Sequence, residues 1–146
     1  MKRLLAFLVC TLLCGTQALA ANVDRRAALA SINTLRASRD LPPLRYSANL
    51  EKAALMHAED MRRKGFFSHT GSDGSNVGKR LKYAGYNWCN AAENIAKGQR
   101  SLAEVMTGWE ESRGHRKNML HRKVTEFALA RSKGNLWVMV LARPGC

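Results

Sequence analysis

The chain has 146 residues, 24 Lys+Arg against 11 Asp+Glu, a formal charge of +13, four cysteines and four histidines. This length accommodates one domain and argues against a two-domain enzyme. No HExxH, CxxC or GxSxG is present, which removes the commonest zincin, thiol-redox and serine-hydrolase signatures.

Lys2 and Arg3 precede an apolar run from Leu4 to Leu13, followed by Ala18-Leu19-Ala20. This reads as a secretory signal peptide over residues 1–20 with a small-residue cleavage site. The run is about half the ~20 residues a membrane-spanning helix needs, so a retained anchor is not expected. Cleavage would remove Lys2, Arg3, Cys10 and Cys14, lowering the charge from +13 to +11 and leaving two cysteines. In an exported chain Cys89 and Cys146 read as a structural bridge rather than a reactive thiol or a metal-ligand pair. The exported domain is expected over residues 21–146.

Ala28, Ile32 and Leu35 recur at helical spacing between Asp24 and Ser38, with Asp24 as cap. Leu41-Pro42-Pro43-Leu44 cannot continue that helix. A second helix is expected from Ser47 to Gly65, with Leu50, Ala54, His57 and Met61 on one stripe. A polar loop follows, Ser68 to Gly74. Ser75 is expected to cap a short helix carrying Val77 and Leu81 and ending at Gly85. A fourth helix is expected from Ser101 through Trp109, broken at Gly114. Val124–Arg131 and Leu136–Ala142, separated by Ser132-Lys133-Gly134-Asn135, read as an antiparallel hairpin. Helices first and strands last give an α+β layout.

The histidines differ in setting. His57, on an apolar stripe, reads as a hydrogen-bonded core residue. His69 follows Phe66-Phe67 into a Gly/Ser/Asp loop, and reads either as an exposed loop residue or as a site residue held against a scaffold. Glu93 is a lone acid in Ala91-Ala92-Glu93-Asn94-Ile95-Ala96, where a carboxylate needs a partner or a shifted pKa. His115, in Gly114-His115-Arg116-Lys117-Asn118, reads either as a site residue or as a histidine favoured at a helix C-terminus. Spacing alone makes no metal site of His69, Glu93 and His115.

Three blocks, Phe66 to Ser75, Ala92 to Ala96, and Trp109 to Leu120, strongly resemble the bacterial branch of the CAP superfamily. This family of cysteine-rich secretory proteins, antigen 5 and plant pathogenesis-related proteins is also called the SCP domain. Leu41-Pro42-Pro43-Leu44, His57-Ala58-Glu59-Asp60-Met61 and Trp137 to Pro144 extend the resemblance over essentially the whole mature chain. The resemblance implies an α-β-α sandwich with a small, mostly antiparallel sheet and a cleft. It also implies a polar cavity where two histidines and two glutamates converge, holding zinc in some members. His69, Glu93 and His115 match the first histidine, a glutamate and the second histidine. Ser112 stands where the second glutamate would be expected, three residues after Trp109, and Ala92 stands where many relatives have glycine. The implied cavity is therefore His69, Glu93 and His115 with Ser112 at its edge.

Zinc is the expected metal for two imidazoles and a carboxylate, and its binding is expected to fade as the imidazoles protonate. The basic clusters Arg62-Arg63-Lys64, Lys79-Arg80-Lys82 and Arg116-Lys117 suit anionic envelope components, glycan or lipid headgroup, more than nucleic acid. Peripheral membrane contact and a monomeric state fit this picture. Three functions stay open: a periplasmic or extracellular binding protein for a lipid, glycan or peptide; a zinc hydrolase using Glu93 to activate water; and a structural protein of the envelope.

Overall fold

A computed structural model describes residues 23–146; the expected signal peptide lies outside the described residues. The elements run α1 (Arg25–Ala37), β1 (Arg45–Tyr46), α2 (Ala48–Lys64), α3 (Val77–Tyr83), β2 (Trp88–Lys97), α4 (Leu102–Glu111), α5 (Arg113–Met119), β3 (Glu126–Ser132) and β4 (Leu136–Pro144). Among the described residues no helix is long and apolar enough to cross a membrane.

The helix boundaries follow their caps. Asp24 accepts from the amides of Arg26 and Ala27 and starts α1. Gly65 ends α2 at φ 69°, where a side chain would be strained. Asn76, not Ser75, caps α3, accepting from Lys79 N–H. Ser75 is instead buried beneath that helix, where its carbonyl takes a hydrogen bond from Arg80. The expected break at Gly114 is displaced to Ser112, which leaves the helical region at ψ 118° and starts α5. Gly114 lies inside α5. A glycine only weakens a helix, whereas an extended residue reorients it.

The sheet order is β1-β3-β4-β2. β3 and β4 form the expected hairpin, β2 pairs antiparallel with β4, and β1 pairs parallel with β3. Strand alternation sends side chains to two faces. Ala28, Ile32, Trp109, Met119, Phe127, Leu129, Trp137 and Met139 pack together between the sheet and α1, α4 and α5. Leu50, Ala54, Met61, Leu81, Ile95, Ala128, Val138 and Val140 pack against α2 and α3. The result is the α-β-α sandwich, with β4 buried on both faces from Leu136 to Ala142. Cys89 and Cys146 are disulfide-bonded across 57 residues. The bridge ties the C-terminus to the start of β2, where Cys89 is the extra residue of a bulge between Trp88 and Asn90.

Candidate functional site

β2 is an edge strand, and Glu93 points from its middle toward α2 and α3. The carboxylate is 7% exposed by residue and has partners on both oxygens. Oε2 accepts from Arg80 Nη2 at 2.7 Å, and Oε1 from His69 Nδ1 at 2.8 Å. Arg80 is itself buried, and its guanidinium also donates to the carbonyls of Ser75 and His69. One side chain thus fixes the carboxylate and the loop that carries the histidine. The partner that a buried Glu93 requires is this arginine.

His57 stands behind the pair. It is fully buried, its Nε2–H donates to Ser68 O at 2.9 Å, and Nε2 lies 3.9 Å from Glu93 Oε1. Burial, the largest influence, pushes its pKa below the ordinary value and outweighs the attraction of Glu93. The core reading of His57 is borne out, though the core it joins is the underside of the site. His69 behaves oppositely. Its side chain is 59% exposed, and donation to Glu93 raises its pKa against partial desolvation.

His115 reaches the site from α5, on the other side of the β2 edge. Its Nδ1 is 3.0 Å from Ser112 Oγ, and it lines a small pocket with Trp109, Ser112 and Ile95. Desolvation first, and the charge of His69 second, lower its pKa. Ser112 contacts the second histidine directly within that pocket. Glu110 and Glu111 are exposed and turned away.

A cleft of about 550 Å³ opens above Glu93, lined by His69, Thr70, Ala91, Lys117, Asn118 and His121 among others. That volume lies within the roughly 300–1,000 Å³ typical of ligand sites. Asn118 holds α5 to the strand by donating to Glu93 O and Asn94 Oδ1, while Asn94 Nδ2 donates to His115 O. Within the cleft the negative charge of Glu93 is matched by Arg80, so Lys117 leaves a positive surplus, to which His69 adds when protonated.

Zinc asks for three or four protein ligands. Among the described residues no group of three or more His, Cys, Asp and Glu side chains stands close enough to hold a metal together. The free nitrogen of His69 is Nε2; His115 offers Nε2 only when its Nδ1 carries the proton toward Ser112. Both Glu93 oxygens already accept hydrogen bonds, from Arg80 and His69.

Arg80 and Asn118 escape a reading based on histidine and acid. Arg80 sits three residues after Val77 and four before Ala84, on the buried face of α3. Its position on that stripe is the signal that separates it from its exposed neighbours Lys79 and Lys82.

The cysteine-rich secretory protein (CAP) family matches residues 29–141. YkwD of Bacillus subtilis is 34% identical over 106 residues, 72% of this chain and 41% of its own length. The membrane protein YlbC of the same organism is 29% identical over 66% of this chain and 28% of its own length. This chain thus spans less than half of each. Among solved structures, an extracellular SCP-domain protein from Bacillus anthracis superposes with a TM-score of 0.77 at 26% identity, over 82% of this chain and 40% of that one. An outer surface protein from Borrelia burgdorferi gives 0.76 at 20% identity, over 82% and 92%. With the family match spanning most of the chain and the sandwich formed as that family forms it, this protein belongs to the cysteine-rich secretory protein (CAP) family.

Proposed function

We propose that the protein is an exported CAP-domain binding protein whose cleft takes an anionic ligand of the cell envelope. The observation that carries this reading is the engagement of both Glu93 oxygens, by Arg80 and His69. A carboxylate so neutralised is a counter-ion rather than a free base. It leaves the cleft to Lys117, His121 and His69, which attract carboxylate or phosphate groups. The signal peptide read in the sequence, the Cys89–Cys146 bridge and the similarity to an extracellular SCP-domain protein and an outer surface protein support export.

The test is calorimetric titration with oligogalacturonate, an acidic oligosaccharide, at about 50 mM and about 300 mM salt. Saturable binding that weakens with salt and with Lys117→Ala/His121→Ala is the expected result. Salt-independent binding, or none, would contradict it.

A second reading rests on His69, whose Nδ1–H is anchored on Glu93 while Nε2 stays unengaged, the usual second partner of a metal-binding histidine. Here zinc would be held by His69 and His115 alone, two protein ligands where three or four are usual, with the other positions left to water, and the hydrolase function would then require Glu93 to act while paired to Arg80. Zinc titration at pH 7.5 and 5.5, for wild type and His115→Ala, tests it. Stoichiometric zinc lost in the variant and at the lower pH supports this reading. Equal heats in all four experiments contradict it.

A further inference from the structure

The phase of hydrogen bonding along β2 is fixed at its far end. Gly98 N–H donates to Asn135 O at 2.9 Å, and the next residues, Lys97 and Leu136, are opposite one another. Opposed residues in an antiparallel pair alternate between bonded and non-bonded pairs. Ala96, Asn94 and Ala92 therefore turn their N–H and C=O groups to β4. Ile95, Glu93 and Ala91 turn theirs to the free edge.

Two side chains confirm the phase by covering that edge. Trp109 Nε1 donates to Ile95 O at 3.3 Å, and Asn118 Nδ2 donates to Glu93 O at 3.1 Å. The cover stops there. Among the described residues no hydrogen bond is made to the outward groups of Ala91, which is half-buried on the wall of the cleft. An unpaired edge of this kind is a template for another strand.

We infer that the cleft takes an extended acidic peptide, whose main chain pairs with Ala91 and whose carboxylate, from a side chain or a free C-terminus, meets Lys117 and His69. This rests on the anion reading above and names the ligand class. Each peptide residue carries a donor and an acceptor at the spacing that Ala91 presents, which a sugar ring or lipid headgroup does not repeat. The basic wall sets the peptide's charge. The bulge at Cys89 and the cover over Glu93 limit the pairing to a short stretch. The disulfide holds the start of β2 and keeps that edge from fraying.

The test uses three probes on the full mature chain: a Val/Thr-rich hexapeptide with two aspartates, the same peptide N-methylated at alternate residues, and oligogalacturonate. The parent peptide is expected to bind at least about fivefold more tightly than its N-methylated form, since the bond from the peptide N–H to Ala91 O is lost. Ala91→Pro removes one outward donor without touching a bond to β4, and is expected to weaken the parent peptide about fivefold. Amide exchange at Ala91 in the wild type, independent of any variant's folding, should slow when the parent peptide is added.

Equal affinity of the two peptides, or unchanged exchange at Ala91 under saturating peptide, overturns edge pairing. Oligogalacturonate binding without peptide binding also overturns it and leaves the anion reading intact. Failure of all three probes overturns both.

Discussion

Replacing Arg80 by alanine strands Glu93 in the interior. The two charges are 2.7 Å apart with both side chains 4% exposed, and the same guanidinium holds the Ser75 and His69 carbonyls. Removing one member of a buried pair costs about 3–5 kcal/mol; the remaining charge is cut off from water and keeps only His69 as a partner. Against a total stability of roughly 5–15 kcal/mol this is a large fraction. With a urea m-value of about 2 kcal/mol/M, the unfolding midpoint should fall by about 2 M. The assay is urea unfolding followed by tryptophan fluorescence under non-reducing conditions, for R80A, E93A and the double variant. If the charges act as a pair, the double variant loses clearly less than the sum of the singles. An R80A variant within about 1 kcal/mol of wild type, or strict additivity, would refute the counter-ion role of Arg80.

The three histidines of the site should titrate in a defined order by NMR, His69 above the ordinary value of 6.5 and both His57 and His115 below it; His57 titrating at or above 6.5 would contradict its burial. Because the folded pKa of His69 is raised, its contribution to stability is complete below about pH 6.5 and fades as pH rises through the folded value. His69→Ala should therefore lose more urea stability at pH 5.5 than at pH 7.5, and an equal loss at both would count against the His69–Glu93 contact. Cys146→Ser opens a 57-residue loop and should cost on the order of 4 kcal/mol in the chain-entropy model, read by the same unfolding assay; a loss under about 1 kcal/mol would contradict the bridge's role. Gly78→Ala would set a methyl 2.4 Å from Trp88 Cζ2, so a loss of about 1–3 kcal/mol is expected, and a neutral result would mean that Trp88 moves freely.

The parts of the fold legible in sequence are those with an undivided local signal. α1 and α2 have both an apolar stripe and a cap or stop, and the β3–β4 hairpin has two apolar runs around a Gly-Asn turn. β2 is different. Ala91-Ala92-Glu93-Asn94-Ile95-Ala96 places a buried acid on one face and a buried amide on the other, so neither alternation nor a continuous apolar run appears. Two-residue β1 is defined by its pairing with β3 and leaves no periodicity at all. In the candidate site, His69, Glu93, His115 and Ser112 are singled out by the family resemblance alone. Arg80 was hidden among surface lysines, and its role depends on α3 packing beside β2. The placement of His115 on α5, against the other face of the sheet from α3, is likewise a property of the sheet, invisible in linear spacing.

The central claim, that Glu93 serves as an internal counter-ion holding His69 toward an anionic ligand, is tested most directly by the pH dependence of oligogalacturonate affinity. Calorimetry at pH 5.5 and 7.5 should show wild-type binding tighter at the lower pH by about two- to fivefold, the worth of one partly exposed charge. In His69→Ala that ratio should fall clearly below the wild-type value. A wild-type affinity that is flat or weaker at pH 5.5, or a ratio unchanged in His69→Ala, would contradict the claim.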